Sequence, residues 1–199
     1  MKEKTFTLAE VLITLVIIGI IAAITVPVIM ENHRKIETAA RVKKFYSNIS
    51  NMINLIKVDN GVEYLRYYGD TDYLTSENIL KYHSYTKILP HTGNSLVLLL
   101  NDGSKLTTGF WSTIEFTIDT NGDKKPNKCG YDIFSVSLGE NNSSNQISFN
   151  CFGNTREEVI EALKEEANYT DSACGQSDCY TKLLMMDGWE FKDDYPWNL

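Results

Sequence analysis

Residues 6–30 read Phe6-Thr7-Leu8-Ala9-Glu10-Val11-Leu12-Ile13-Thr14-Leu15-Val16-Ile17-Ile18-Gly19-Ile20-Ile21-Ala22-Ala23-Ile24-Thr25-Val26-Pro27-Val28-Ile29-Met30. From Val11 to Met30 no residue carries a formal charge. At about 1.5 Å per helical residue this run spans roughly 30 Å, the hydrocarbon thickness of a bilayer. A secretory signal would have a shorter apolar core followed by a small-residue cleavage site, whereas here Pro27 leads into Val28, Ile29, Met30 and then charge. The segment therefore reads as retained.

The 199-residue chain is 43% hydrophobic with a formal charge of −7, and the apolar excess sits in this run. The rest is about 39% hydrophobic, ordinary globular composition. With 11% aromatic residues, a largely disordered chain is excluded, and the acidic balance disfavours a nucleic-acid binder that works by neutralising phosphates. Beyond the run, Val42, Phe45, Ile49, Met52 and Ile56 recur at spacings of three and four until Asp59-Asn60-Gly61 supplies a stop. The spacing predicts one helix of about fifty residues, apolar all round in its first half and amphipathic in its second.

Two residues interrupt the apolar half. Glu10 lies one turn before the uncharged run, and charged side chains at mid-bilayer cost about 2.5–3.5 kcal/mol on insertion scales, so a carboxylate here asks for a function. Pro27 removes a backbone donor and crowds the preceding turn, which predicts a kink or local melting near Ala23.

The stretch Lys4-Thr5-Phe6-Thr7-Leu8-Ala9-Glu10-Val11-Leu12, with the Ile/Val/Ala run and Pro27 behind it, resembles the prepilin signal of type IV pilins and type II secretion pseudopilins. The resemblance covers about residues 1–60. It implies removal of a leader bearing Lys2 and Lys4 by a prepilin peptidase, with cleavage between Thr5 and Phe6 and N-methylation of Phe6. Thr5 departs from the glycine usual before the cut. It also implies a protein held in the bacterial inner membrane with its domain exported, then passed through a membrane assembly platform into a filament with other pilin or pseudopilin subunits. Counting charges alone would give the opposite topology, because Arg34, Lys35, Arg41, Lys43 and Lys44 follow the span.

The motif has its own physical logic. Cleavage would create an ammonium at Phe6, with a reference pKa of about 7.7–8.0, at the membrane boundary where an unpaired charge is costly. Glu10 of an adjacent subunit could neutralise it. Such a pair would fix the axial register of helices that could otherwise slide, even at little net stability. Phe6, Glu10 and Pro27 are therefore the candidate assembly residues.

After Gly61 the pattern is α+β, an antiparallel sheet packed on the long helix, which is also the fold the resemblance implies. Tyr64, Tyr67, Tyr68 and Tyr73 open a tyrosine-rich tract that reads as cover for the amphipathic helix. A short helix starts near Thr75 or Ser76. Strands are expected at 95–100, 105–108, 113–118, 133–138 and, after a polar loop at 139–145, 146–152. Asn101-Asp102-Gly103-Ser104 reads as a turn. A helix begun by Thr155 covers 156–168. The aromatic end, Trp189 to Trp197, is expected to dock as a terminal strand rather than fray, the alternative being a contact surface. The domains are thus a leader at 1–5, a membrane and assembly helix at 6–30, its amphipathic continuation at 31–60 and an exported domain at 61–199.

Asp119-Thr120-Asn121-Gly122-Asp123, continuing through Pro126 and Asn127 to Asp132, places oxygens at alternate positions, which suits calcium. It is not an EF-hand, since Gly122 comes too early and Gly130 stands where the closing glutamate belongs. It is similar to a loop of secretion pseudopilins, and that similarity implies Asp119, Asn121, Asp123 and Asp132 as calcium ligands. The alternative is a metal-free turn with Asx side chains bonded to their own backbone.

Four cysteines, Cys129, Cys151, Cys174 and Cys179, suggest two disulfides, with Cys129–Cys151 and Cys174–Cys179 preferred because they close short loops. Cys-x-x-Cys zinc knuckles are absent from the sequence. There is no phosphate-binding glycine loop, Gly-x-Ser-x-Gly elbow or His-Glu-x-x-His. His33, His83 and His91 are scattered and read as surface or capping residues. No enzyme is indicated and no cofactor is required. The expectation is a structural filament subunit, the alternative a membrane-anchored extracytoplasmic domain that binds calcium or a ligand without polymerising.

Overall fold

The computed structural model describes residues 7–63, 65, 74–91, 95–110, 114–138, 147–166 and 177–196. Two compact units divide the chain at residues 37 and 38. Helix α1, Leu8–Asn60, runs through both. Its apolar residues are solvent-exposed from Leu8 to Ile36, and it is long and apolar enough there to cross a membrane. The helix continues unbroken through Pro27, so melting at Ala23 is not seen. A proline inside an apolar helix is tolerated where local adjustments satisfy the freed carbonyl. In the preceding turn the Thr25 hydroxyl donates to Ile21 O at 2.9 Å, whereas the carbonyl that Pro27 leaves without its helical donor is that of Ala23.

In the second unit α1 buries the expected stripe, Val42, Phe45, Ile49, Met52 and Ile56, extended by Thr38, Ala39 and Ile53. Each large apolar side chain taken from water contributes about 1.5–3 kcal/mol before entropic costs. Val42, Phe45, Ile49, Met52, Ile53 and Ile56 join one cluster with Leu98, Leu106, Phe116, Phe134 and Val136 of the sheet. The sheet is a five-stranded antiparallel meander: β1 Tyr85–Leu89, β2 Leu96–Leu100, β3 Lys105–Phe110, β4 Ile114–Asp119 and β5 Ile133–Leu138, paired in that order. In β4 the period of two puts Ile114, Phe116 and Ile118 inward. The turn at Asn101–Ser104 is present, with Gly103 at φ 82° and its N–H donating to Leu100 O at 3.1 Å.

Helix α2, Ser76–Tyr82, starts at Thr75 as expected, with the Thr75 hydroxyl accepting from Asn78 N–H at 3.2 Å. Helix α3, Arg156–Glu166, begins after Thr155, whose N–H donates to Glu158 Oε2 at 3.1 Å while its hydroxyl accepts from Glu158 N–H at 3.3 Å, a reciprocal capping box. The expected end of α3 at 168, the loop at 139–145 and Tyr64, Tyr67, Tyr68 and Tyr73 lie outside the described residues.

Four expectations need correction. The strand over 146–152 is, in its described part, a single bridge between Ser148 and Ser137. Strand β1 was not expected: all but Leu89 of its residues are exposed, so burial imposes no alternation on them. Helix α4, Ser177–Met186, was also unexpected and packs on β5 and α3. It explains why β5 is covered on both faces, with Ser135 and Ser137 buried alternately with Phe134, Val136 and Leu138. The carboxy-terminal stretch does dock, but not as a strand. Tyr195 is buried and donates its hydroxyl to Gly130 O at 3.1 Å, Trp189 meets Tyr46 at 5.4 Å between ring centres, and Arg156 bridges Asp187 and Asp194 at 2.6 Å each. Trp197 lies outside the described residues.

The disulfide pairing also differs. Cys151 bonds Cys179, with Cα atoms 5.0 Å apart, and Cys129 is disulfide-bonded too, so the short Cys129–Cys151 loop does not form. Cys179, in the first turn of α4, is brought to Cys151 as that helix packs against β5. Cys174 lies outside the described residues.

Candidate functional site

Two places carry the chemistry the sequence singles out. At the start of α1, Thr7 and Glu10 form a capping box: Thr7 N–H and Thr7 Oγ1–H both donate to Glu10 Oε2 at 2.8 Å, and Thr7 Oγ1 accepts from Glu10 N–H at 3.3 Å. This satisfies two of the backbone donors that every helix start leaves over. Glu10 is therefore a helix-start residue as well as an isolated carboxylate. The Thr-x-x-Glu spacing was present in the sequence as a signal for it. Both bonds fall on Oε2, and Oε1 is the oxygen left for a second partner. Thr5 and Phe6 lie outside the described residues, and Pro27 sits in the exposed apolar part of the helix.

The second place is the loop between β4 and β5. The β3–β4 register sets Lys105 opposite Asp119, and the Lys105 ammonium lies 2.7 Å from Asp123 Oδ1 and 3.9 Å from Asp119 Oδ2. Asp119 Oδ1 accepts from Asn121 N–H at 3.2 Å, an Asx turn. Asp132, buried, closes the loop: Oδ2 accepts from Asn127 N–H and Asn121 Nδ2–H at 2.9 Å each, and Oδ1 from Lys128 N–H at 2.5 Å. Gly122 needs its freedom here, since φ is +73° and a Cβ would come 2.9 Å from Gly103 O. Burial pushes the Asp119 carboxyl up to about 6, reinforced by Asp132 and Asp123 and opposed by the Asn121 N–H and Lys105.

So Asp119, Asn121 and Asp132 are brought into one hydrogen-bonded loop, while Asp123 turns outward to Lys105. Among the described residues no group of three or more His, Cys, Asp or Glu side chains is arranged to hold a metal. One observation fits a cation: Asn121 Oδ1 is buried with no hydrogen-bond partner, next to a carboxylate whose negative form burial disfavours.

His83 is not the surface residue expected. Its backbone N–H does cap α2, donating to Ile79 O at 3.1 Å, but its imidazole is buried and its Nδ1 has no partner.

Residues 1–26 match the model of the prokaryotic N-terminal methylation motif, the pilin-type signal, which spans the capped helix start and most of the exposed apolar run. No curated protein and no solved structure matches the chain. A second family model takes in residues 28–199, which include the whole sheet domain, and the chain accordingly belongs to the family described as "Family of unknown function (DUF6613)".

Proposed function

We propose that the protein is a non-enzymatic structural subunit of a type IV pilus or type II secretion-like filament, stored in the inner membrane, cleaved between Thr5 and Phe6 and polymerised through α1. The observation that carries this reading is the methylation motif at residues 1–26 running directly into a helix whose large apolar side chains are exposed through Ile36. An apolar surface of that extent needs lipid or other copies of itself. In this reading the helix leaves lipid for a bundle of like helices, and the Phe6 ammonium of one subunit meets Glu10 of the next. The Thr7 cap supports the pairing because it fixes the Glu10 rotamer and leaves Oε1 available. The domain beyond residue 38 becomes the filament surface.

Mass spectrometry of the mature amino terminus tests processing: N-methylated Phe6 is expected, and an intact Met1 leader would favour a permanent anchor instead. Glu10→Gln tests the pairing. The variant is expected to insert and be cleaved but to lose incorporation into filaments. Normal incorporation would remove the charge pair from the mechanism.

A second reading, calcium at the Asp119–Asp132 loop, is favoured by the unpartnered Asn121 Oδ1. Asp119 and Asn121 would supply oxygens, Asp123 would have to leave Lys105, and Asp132 would hold the backbone closed. A bound ion would raise the melting temperature in calcium and lower it on chelation. An unchanged melting temperature would leave the self-closed turn as the whole account.

A further inference from the structure

Four cysteines can pair in three ways, and a preference for short loops picks the wrong one here. Cys151 is joined to Cys179, and Cys129 is bonded elsewhere. Cys179 is buried in the first turn of α4, where the packing of that helix on β5 fixes it. Cys151 has no such support, because residues 149–153 belong to no helix or strand.

Two side chains of α4 hold that stretch on either side of the cysteine. Asp178, only 3% exposed, accepts from the Asn150 N–H, and its Oδ2 also takes the Ser137 hydroxyl at 3.4 Å. Lys182 donates to Cys151 O at 3.4 Å and to Gly153 O at 2.5 Å. Asp178 and Lys182 are four residues apart and share a face of α4, with Cys179 beside them. Further upstream the chain is tied to β5, with Ser137 N–H donating to Ser148 O at 3.0 Å and Ser148 N–H to Ser137 O at 2.7 Å. The backbone is thus held before, at and after Cys151. The bonds from α4 each involve a charged group, the stronger class of hydrogen bond. A buried carboxylate is costly unless hydrogen-bonded, so Asp178 favours the arrangement in which the Asn150 N–H faces it.

We propose that Asp178 and Lys182 are positioning residues for disulfide formation, holding Cys151 against Cys179 before the bond exists and so selecting this pairing over the other two. The chemistry takes two exchanges with an external disulfide such as glutathione disulfide. One cysteine thiolate attacks it, which forms a mixed disulfide and releases one glutathione thiolate. The second cysteine thiolate then attacks the protein sulfur of the mixed disulfide, the Cys151–Cys179 bond forms and the second glutathione leaves. The two protons given up by the cysteines end on the two glutathione thiols. Positioning acts on the second exchange, which is intramolecular and scales with the effective concentration of one thiol at the other. None of this depends on filament assembly, because every residue involved lies in the unit beyond residue 38.

The test uses the full chain in detergent, equilibrated without denaturant in glutathione buffers of graded ratio, then alkylated and mapped by mass spectrometry. The reduced and oxidised fractions of Cys151 and Cys179 give their effective concentration. Lys182→Met keeps the apolar stem and removes the donor, and Asp178→Ala removes the acceptor. Each is expected to lower the effective concentration at least about fivefold. Each is also expected to raise the share of Cys151 linked to another cysteine after refolding from the reduced, unfolded chain. A variant that only weakened the fold would destabilise reduced and oxidised chains alike and leave the effective concentration where it was. If Asp178→Ala does not fold, Lys182→Met decides alone. A smaller drop than this in Lys182→Met, or unchanged pairing on its refolding, would overturn the proposal.

Discussion

At Asp119 opposing influences meet on one carboxyl group. Burial and the nearby Asp132 and Asp123 favour its neutral form, the Asn121 N–H and Lys105 favour the charged one, and the balance lifts it from 3.8 to about 6. A carboxyl whose folded pKa is raised supports the fold fully below its unfolded value and loses that support as pH rises through the folded one. Stability is therefore expected to fall between about pH 4 and about pH 6, and Asp119→Asn to flatten that stretch of the profile in denaturant titrations. An equally steep profile in the variant would assign the slope elsewhere. The sequence pointed to this residue through its spacing with Asn121 and Asp123, but the outward turn of Asp123 comes from Lys105, eighteen residues away and legible only once β3 and β4 are paired. Glu10 shows the converse. Its partner Thr7 stood three residues away, and the local cap was overshadowed by the question of charge in a membrane. His83 was hidden for a third reason, since nothing in a lone histidine's neighbours tells whether a helix end will be packed over.

Elements were legible where burial is periodic. The stripe from Val42 to Ile56 and the alternation of β4 follow from spacing, the turn at Gly103 from its residue types, and the structure has each of them. Strand β1 lacks a buried face, and α4, though it buries Cys179, Tyr180, Leu183 and Leu184 at helical spacing, is only ten residues long and follows a polar tract. The disulfide error has the same origin: short loops are favoured in the absence of a fold, and the packing of α4 on β5 overrides them by joining residues separated by 28 positions. Gly130 marks how tightly this corner is built, with φ at +71° and the Tyr180 ring where a Cβ would stand, 2.2 Å away. Closing a loop of that length restrains the unfolded chain by roughly 3–4 kcal/mol in the chain-entropy model. Replacing Cys151 and Cys179 together by alanine is expected to cost about that much, read from urea unfolding of the oxidised protein. A loss under about 1 kcal/mol would mean that packing of α4 already holds the junction without the bond.

The whole molecule is a chain with two solvents. Every large exposed apolar residue of the first unit lies at or before Ile36, and the buried stripe begins at Thr38 and Ala39, so the change of environment falls within one turn of a continuous helix. A chain beginning at residue 34 is expected to stay monomeric in aqueous buffer and to keep the near-ultraviolet spectrum of the full protein's domain. Size-exclusion chromatography with circular dichroism checks both, and detergent dependence of the shortened chain would show that the second unit also needs an apolar partner. The sheet adds a temporal order to this spatial one. Its strands hydrogen-bond in the sequence in which they are made, so each can be laid against its predecessor as the polypeptide emerges, without waiting for distant segments. The groups that seal the corner arrive last: Cys179 closes onto Cys151, and Tyr195 reaches back to Gly130. A stalled or clipped nascent chain would thus display a formed but unsealed sheet, with its β5 face bare and its thiols unoxidised, recognisable as unfinished before it could join any partner.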